Sequence, residues 1–143
     1  MTPPRQILRI GWAIHKALFR ATGGRVGAQR AGSGRGTLFL LTTGRKSGME
    51  RRNALFYIED RPDFVIVGSN AGEDVDPSWW HNLQATPDAQ VMIGPKPIPV
   101  RARQASAEES TRLWPRLDAA NPEYVAYRRK TTRAIPVVIL APR

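Results

Sequence analysis

The chain has 143 residues, no cysteine and a net charge of +10, which predicts one domain and excludes disulfides, thiol nucleophiles and thiolate metal sites. No apolar run approaches the about 20 residues of a membrane-spanning helix and no signal-peptide pattern is present, so we expect a cytoplasmic protein. The two histidines, His15 and His81, lie far apart without a zinc-binding spacing, and no metal site is predicted.

The positive charge is concentrated in the first third of the chain. Residues 1–52 contain 11 lysines and arginines and one acid, whereas the other 91 residues contain 11 basic and 11 acidic residues. Such a field attracts a polyanionic ligand, an anionic membrane surface or nucleic acid. Nucleic acid is the least favoured partner, because the chain lacks the aromatic and basic strand motif of common RNA-binding domains.

Residues 1–36 are predicted to form an N-terminal amphipathic helix followed by a loop rich in glycine and arginine. Within 6–20, four apolar residues follow the helical spacing: Ile7, Ile10, Ile14 and Leu18. Trp12 and Phe19, with basic residues around them, would also suit a helix that lies in a membrane interface. Packing on its own domain and peripheral attachment at the inner face of the cell membrane are both compatible with this pattern.

Residues 37–143 are predicted to form one barrel domain. Strands are expected at 38–43, 53–58, 64–69, 89–93, 98–103 and 135–140. Short helices are expected at 78–85, from the capping box of Ser106 and Glu109 to 120, and after Asn121-Pro122. Asp76 is the expected N-cap of the first helix. Six strands with short helices between them indicate an α+β fold built on a small antiparallel or mixed barrel.

A basic turn joins the first two predicted strands. It is bounded by Gly44 and Gly48, and its cationic and hydroxyl side chains are Arg45, Lys46, Ser47, Arg51 and Arg52. Glycines let the backbone approach a ligand, so turn amides, a hydroxyl and four cations can converge on a phosphate or carboxylate. A nucleotide-triphosphate loop is excluded, because a strand and not a helix follows Lys46-Ser47. A solvated basic turn without a ligand is the alternative interpretation.

A second informative block covers a strand end and the helix after it. Small residues from Gly68 to Gly72 let backbone amides approach a flat ligand closely. Trp79 and Asn82 are three residues apart and share one face of the predicted helix. Asn82 could donate to a ligand carbonyl, whereas Trp79 could equally belong to the core.

Five groups of residues resemble, in order and in spacing, the motifs of the deazaflavin (coenzyme F420)-dependent nitroreductase family. The resemblance runs from about residue 13 to residue 140. It rests on 43–48 (Thr-Gly-Arg-Lys-Ser-Gly) with Arg51, Ser69-Asn70, Pro77 and Trp79 with 81–83 (His-Asn-Leu), Asn121-Pro122 with Tyr124 and Tyr127, and 135–138 (Ile-Pro-Val-Val).

The resemblance implies a split β-barrel like that of flavin-binding oxidoreductases, and an 8-hydroxy-5-deazaflavin coenzyme whose tail carries a phosphate and several glutamates. It implies that Lys46, Ser47 and Arg51 hold this tail, to which the local charge pattern adds Arg45 and Arg52. The residues implied to line the deazaflavin ring are Val67, Gly68, Ser69, Asn70, Ser78, Trp79, Trp80, His81 and Asn82. The late helix is implied to line the substrate side with Tyr124 and Tyr127.

Three positions differ from the family pattern. Arg52-Asn53-Ala54 replaces a common Thr-Thr-Pro, Trp80 replaces a common Tyr, and Asn121 stands where another Tyr often begins the late helix. We expect these differences to leave coenzyme binding little affected and to disfavour nitroaromatic reduction.

The expected activity is hydride transfer from the reduced deazaflavin coenzyme to an electron-poor small molecule, such as a quinone, enone or nitro compound. Tyr124 or Tyr127 would donate the accompanying proton or polarise the acceptor oxygen, unless both rings simply pack against the barrel. FMN in the same fold is the alternative cofactor. A non-enzymatic basic module that binds an anionic membrane surface is the alternative function, and a homodimer is compatible with the sequence.

Overall fold

The computed structural model of the protein describes residues 35–143. The predicted helix at 6–20, and all but the last two residues of the predicted loop that ends at residue 36, lie outside the described residues. Within the described part of the chain, no helix is long and apolar enough to cross a lipid bilayer.

Within residues 35–143, six strands close into a barrel. They are β1 (Arg35–Thr43), β2 (Glu50–Asp60), β3 (Asp63–Val67), β4 (Asp88–Met92), β5 (Ile98–Gln104) and β6 (Val137–Pro142). The strand order is β1-β2-β3-β6-β5-β4, β4 pairs back onto β1, and every pair is antiparallel. The same residues form helices α1 (Ser78–Ala85), α2 (Ala107–Ala120) and α3 (Glu123–Lys130). The predicted α+β split barrel is therefore confirmed.

Alternate residues of each strand fill the barrel interior. In β3, Phe64 and Ile66 join the inner apolar cluster, whereas Val65 and Val67 join a second cluster outside the barrel. The inner cluster draws on all six strands through Leu38, Leu40, Tyr57, Phe64, Ile66, Val91, Val100, Val138 and Leu140. Because both faces of β3 are buried, its sequence is an apolar run and not a polar–apolar alternation.

The three helices pack on these two clusters. Helix α1 contributes Trp79, Trp80 and Leu83 to the inner cluster. Helices α2 and α3 cover the outer cluster with Leu113, Leu117 and Tyr124. The tyrosine that the sequence singles out is thus held between the barrel wall and a second helix.

The second strand begins earlier than predicted. β1 and β2 pair from Arg35↔Ile58 to Thr43↔Glu50, so Arg51 and Arg52 are strand residues and not turn residues. Arg51 and Arg52 pair with Thr42 and Leu41 of β1, while exposure keeps the Arg51 charge solvated. The cationic side chains therefore project from a rigid strand end.

The predicted helix starts have different outcomes. The capping box of α2 is confirmed, because the Glu109 amide donates to Ser106 Oγ at 3.2 Å and the Ser106 amide donates to Glu109 Oε1 at 3.0 Å. Asp76 as the N-cap of α1 is wrong, because Pro77 occupies that position without a side-chain cap. The Asp76 carboxylate instead accepts a hydrogen bond from Arg133 Nη1 at 2.7 Å.

The third strand ends earlier than predicted, and the sixth strand begins later than predicted. β3 ends at Val67 and β6 begins at Val137, each two residues inside the predicted bounds. Pro136 has no N–H for the ladder, and its carbonyl accepts the Gly68 amide at 2.9 Å. After this last hydrogen bond, the chain leaves the sheet and forms the loop that leads to α1.

Candidate active site

The basic turn between β1 and β2 is tightly closed. The Gly44 amide donates to the Met49 carbonyl and the Gly48 amide to the Gly44 carbonyl, both at 2.8 Å. A Cβ on Gly44 would lie 2.8 Å from Ser47 Oγ, and Gly48 has φ +71°. Both glycines are thus required by the turn, as the sequence predicts.

Asn82 of α1 holds this turn through hydrogen bonds with Arg45. Its side chain is buried, and its Oδ1 accepts from the Arg45 amide at 3.1 Å and from Arg45 Nη1 at 3.3 Å. Its amide group donates to Thr42 Oγ1 at 3.2 Å. The donor expected to meet a ligand carbonyl is therefore engaged by the protein itself, and Asn82 holds the turn in place.

A cationic cleft of about 580 Å3 lies beside the turn. Its lining residues are Gly44, Arg45, Lys46, Ser47, Glu50, Arg51, Arg52, Asn53, Ser78, Trp79 and Asn82. Glu50 is the one acid among these lining residues, and it pairs with Arg52 at 3.3 Å. Arg51 Nη2 reaches Ser47 Oγ at 3.5 Å, and within the described part of the chain no hydrogen bond or ion pair engages Lys46. The cleft therefore presents a surplus of positive charge to an anion.

A second, less polar cavity of about 230 Å3 adjoins the cationic cleft. Its lining residues are Ala54, Leu55, Phe56, Val67, Ser69, Asn70, Ala71, Pro77, Trp79, Asn121, Tyr124 and Tyr127. Trp79 lines both cavities, and Asn53 of the first is the chain neighbour of Ala54 of the second. One ligand could therefore place an anionic part in the cleft and a flat apolar part in this cavity.

One wall of the second cavity has an unusual backbone. Asn70 and Ala71 have φ of 46° and 54°, which places two consecutive non-glycine residues in the left-handed region. Asparagine tolerates this conformation better than alanine, and each such residue costs on the order of 1–3 kcal/mol. Strain of this kind persists only where the surrounding structure holds it.

Tyr124 of α3 also lines the second cavity. Its ring makes edge contacts with Phe56, Trp114 and Tyr127 at centroid distances of 6.1, 6.2 and 6.4 Å. Burial raises the pKa of the Tyr124 phenol well above its ordinary value, while a side-chain hydrogen bond with Asn121 acts in the opposite direction. The phenol is therefore fully protonated at neutral pH.

Tyr127 lies one helical turn further along α3, and its hydroxyl hydrogen is already used in a hydrogen bond. Its hydroxyl donates to Glu123 Oε2 at 2.7 Å. Partial burial, followed by this carboxylate, raises the pKa of Tyr127 to about 12. The two tyrosines thus differ chemically: both phenols are protonated, but the Tyr127 hydroxyl already donates its hydrogen bond to a carboxylate.

Some predicted site residues lie elsewhere. Trp80 is 6% exposed within the inner cluster, and neither Trp80 nor His81 lines either cavity. Gly68 packs on Pro136, since a Cβ there would lie 2.8 Å from the proline Cγ. The other predicted ring residues, Val67, Ser69, Asn70 and Trp79, line the second cavity, and Ser78 lines the cleft. No cluster of metal-ligating side chains occurs between residues 35 and 143.

The sequence did not single out the β2 wall of the second cavity. Ala54, Leu55 and Phe56 are ordinary strand residues whose apolar character does not distinguish a cavity wall from core. Pro77, which the family motif includes beside Trp79, also lines this cavity. The one local signal in the sequence is the departure from the family pattern at 52–54, because these residues belong to the part of β2 that lines the two cavities.

Comparisons with known proteins identify the family that the chain matches. A family described as F420H(2)-dependent quinone reductase matches residues 12–142. The F420H(2)-dependent quinone reductase Rv1261c of Mycobacterium tuberculosis is 38% identical over 141 residues, which cover 96% of this chain and 91% of the relative. A solved structure titled F420-H2 dependent reductase (FDR-A) is 36% identical with a TM-score of 0.67, over 73% of this chain and 92% of the other. A solved structure described as a domain-swapped dimer is 31% identical with a TM-score of 0.70, over 96% and 99% of the two chains.

Proposed function

The chain belongs to the F420H(2)-dependent quinone reductase family, and we propose that it uses reduced coenzyme F420 to reduce a quinone. The observation that carries this proposal is the pair of cavities that meet at Trp79. One has the surplus of cations that suits a phosphate and carboxylates, and the other has the aromatic and apolar walls that suit a flat ring. A coenzyme with a deazaflavin ring and an anionic tail matches both.

The residues proposed to hold the tail are those of the cationic cleft. Lys46 is the cation that no described residue engages, and Arg51 and Ser47 already share a hydrogen bond beside it. Arg45 is tied to α1 through Asn82 and Ser78, so its role is to shape the turn and to add charge. Arg52 contributes charge from the first residues of β2.

The ring is proposed to lie in the second cavity, which is lined by Trp79, the 69–71 segment and α3. When bound, the reduced deazaflavin supplies the hydride. The chain's own task is to orient the ring, to keep water away with Leu55, Phe56 and Trp79, and to provide a proton.

Tyr124 is the proposed source of that proton. An acceptor oxygen that has gained charge needs a donor, and the protonated Tyr124 phenol borders the cavity. Tyr127 is less suited, because its proton is directed to Glu123 and its oxygen is left as an acceptor. We therefore assign proton donation to Tyr124, and substrate positioning to Tyr127.

A titration of the purified protein with coenzyme F420 and with FMN tests this function. We expect saturable binding of the deazaflavin coenzyme, seen as a change in its fluorescence, and an affinity that falls as salt is added. FMN has a phosphate but no glutamates, so it should bind more weakly and with a smaller salt dependence. Tight FMN binding without F420 binding would favour the alternative cofactor in the same fold. Binding of neither would contradict the proposal.

Assembly and location are further parts of the proposal. The domain-swapped dimer among the related structures supports a homodimer. The predicted helix at 6–20 supports a cytoplasmic enzyme that approaches an anionic membrane surface, where quinones are found. That predicted helix lies outside the described residues.

A further inference from the structure

The guanidinium of Arg133 ties together the loop that follows β3. Its side chain is 15% exposed and lies in the connection between α3 and β6. Nε donates to the Glu73 carbonyl at 2.8 Å, and Nη1 donates to Asp76 Oδ1 at 2.7 Å. Nη2 donates to the carbonyls of Ser69 at 2.8 Å and Gly68 at 3.2 Å. One side chain thus fixes four points between residues 68 and 76.

This loop contains the left-handed residues Asn70 and Ala71, which line the second cavity. Within the loop, the Gly72 amide donates to the Ser69 carbonyl at 2.8 Å and the Glu73 amide to the Asn70 carbonyl at 3.1 Å. These short-range bonds close a single turn. They leave the position of the turn relative to the barrel undetermined.

Contacts with α3 and with the residues that follow it set that position, among them a hydrogen bond from Thr131 Oγ1 to Asp74 Oδ1 at 3.0 Å. Gly72 packs closely on α3, where a Cβ would lie 3.1 Å from the Cα of Tyr127, and its φ is +78°. Arg133, which follows α3 in the chain, donates hydrogen bonds to residues at both ends of the loop, at 68–69 and at 73–76. Lysine could not replace it, because one ammonium group cannot reach carbonyls and a carboxylate on several sides as a planar guanidinium does.

We propose that Arg133 is a positioning residue for the ring wall of the site. It lines neither cavity, yet it holds residues 69–71 in the strained shape that receives the flat ring. Strained backbone at a binding site persists when its surroundings over-determine it, and the four Arg133 bonds provide that restraint. The inference rests on the proposed function, because it takes the second cavity as the ring site.

The Arg133→Lys variant separates ring binding from tail binding. Two probes are needed: the complete coenzyme, and the deazaflavin with its ribityl chain but without phosphate and glutamates. We expect both dissociation constants to rise by the same factor, on the order of 10-fold, because only the ring wall is altered. Lys46→Ala should instead weaken the complete coenzyme and leave the ring compound unaffected.

A readout without ligand tests the restraint itself. Hydrogen exchange at the Gly72 and Glu73 amides should be on the order of 10-fold faster in Arg133→Lys, because the turn that they close is released. Arg112→Lys is the matched control, since it breaks a bidentate contact with Asp60 at 3.0 and 2.9 Å at the β2–β3 turn. It should change neither exchange nor affinity. If Arg133→Lys fails to fold, Asp76→Ala removes one of the four acceptors and should show the same pattern more weakly.

The outcomes separate this inference from the function on which it rests. Wild-type protein that binds no coenzyme F420 would overturn the proposed function. Wild-type binding with unchanged ring affinity and unchanged exchange in folded Arg133→Lys would overturn the role of Arg133 alone. Faster hydrogen exchange in Arg133→Lys with unchanged affinity for the ring compound would also overturn the role of Arg133. The loop would then be released without any change in ring binding.

Discussion

Replacing Tyr124 with phenylalanine is expected to lower kcat for quinone reduction on the order of 10²-fold, the lower end of what a positioned general acid contributes. The affinity for the coenzyme should change little, since the phenylalanine ring keeps the contacts with Phe56, Trp114 and Tyr127. The substitution removes only the phenol hydroxyl that donates the proton. Steady-state turnover with reduced coenzyme F420 and a soluble quinone, beside a binding titration, measures the two effects separately.

Tyr127→Phe is the matched control for this variant. It removes a hydroxyl from the same cavity, but one that already donates its hydrogen bond to Glu123. We expect a smaller fall in kcat and an effect seen mainly in KM for the quinone. Equal turnover in wild type and Tyr124→Phe would remove Tyr124 from the mechanism. A larger loss in Tyr127→Phe would reverse the roles of the two residues.

Replacing Lys46 with alanine is expected to weaken binding of the complete coenzyme by about 10- to 150-fold, which corresponds to the loss of one hydrogen bond to a charged group of about 1.5–3 kcal/mol. Lys46 is exposed at the cationic cleft, so the substitution should leave the fold intact. The affinity should also become less sensitive to salt, because one cation no longer faces the tail. Titrations at several salt concentrations measure both effects.

Lys96→Ala provides the control for the charge change. Lys96 is an exposed lysine between β4 and β5, and it lines neither cavity. Its removal lowers the net charge by the same amount, so a general loss of attraction would appear in both variants. Equal affinity and equal salt dependence in the two variants would show that the basic turn does not meet the tail.

Much of the fold follows from local patterns in the sequence. The Ser106 and Glu109 capping box is a four-residue signal, and it is present as predicted. Leu38 and Leu40 are two apart in a β-prone run, and both reach the barrel interior. Patterns of this kind are predictable because their partners lie within one turn of helix or one hairpin.

The parts that the sequence alone did not yield depend on distant partners. Asp76 has the residue type and position of an N-cap, but its carboxylate is taken by Arg133, which is 57 residues away. Asn82 resembles a ligand donor until Thr42 and Arg45 are found beside it.

Adjacent tryptophans show the same difficulty within one helix. Trp79 and Trp80 are both buried, at 2% and 6% exposure, so neither composition nor burial distinguishes them. Successive helical residues point about 100° apart, so only the placement of α1 against the barrel decides which ring borders the cavities. Both rings belong to the inner cluster, but only Trp79 of the two borders the cavities.

The most direct test of the account is a crystal structure of the protein with coenzyme F420 bound. We predict that the phosphate lies within hydrogen-bonding distance of Lys46 and Ser47, with the ring in the cavity between Trp79 and Tyr124. A bound coenzyme whose phosphate lies away from the basic turn would contradict the assignment of both cavities.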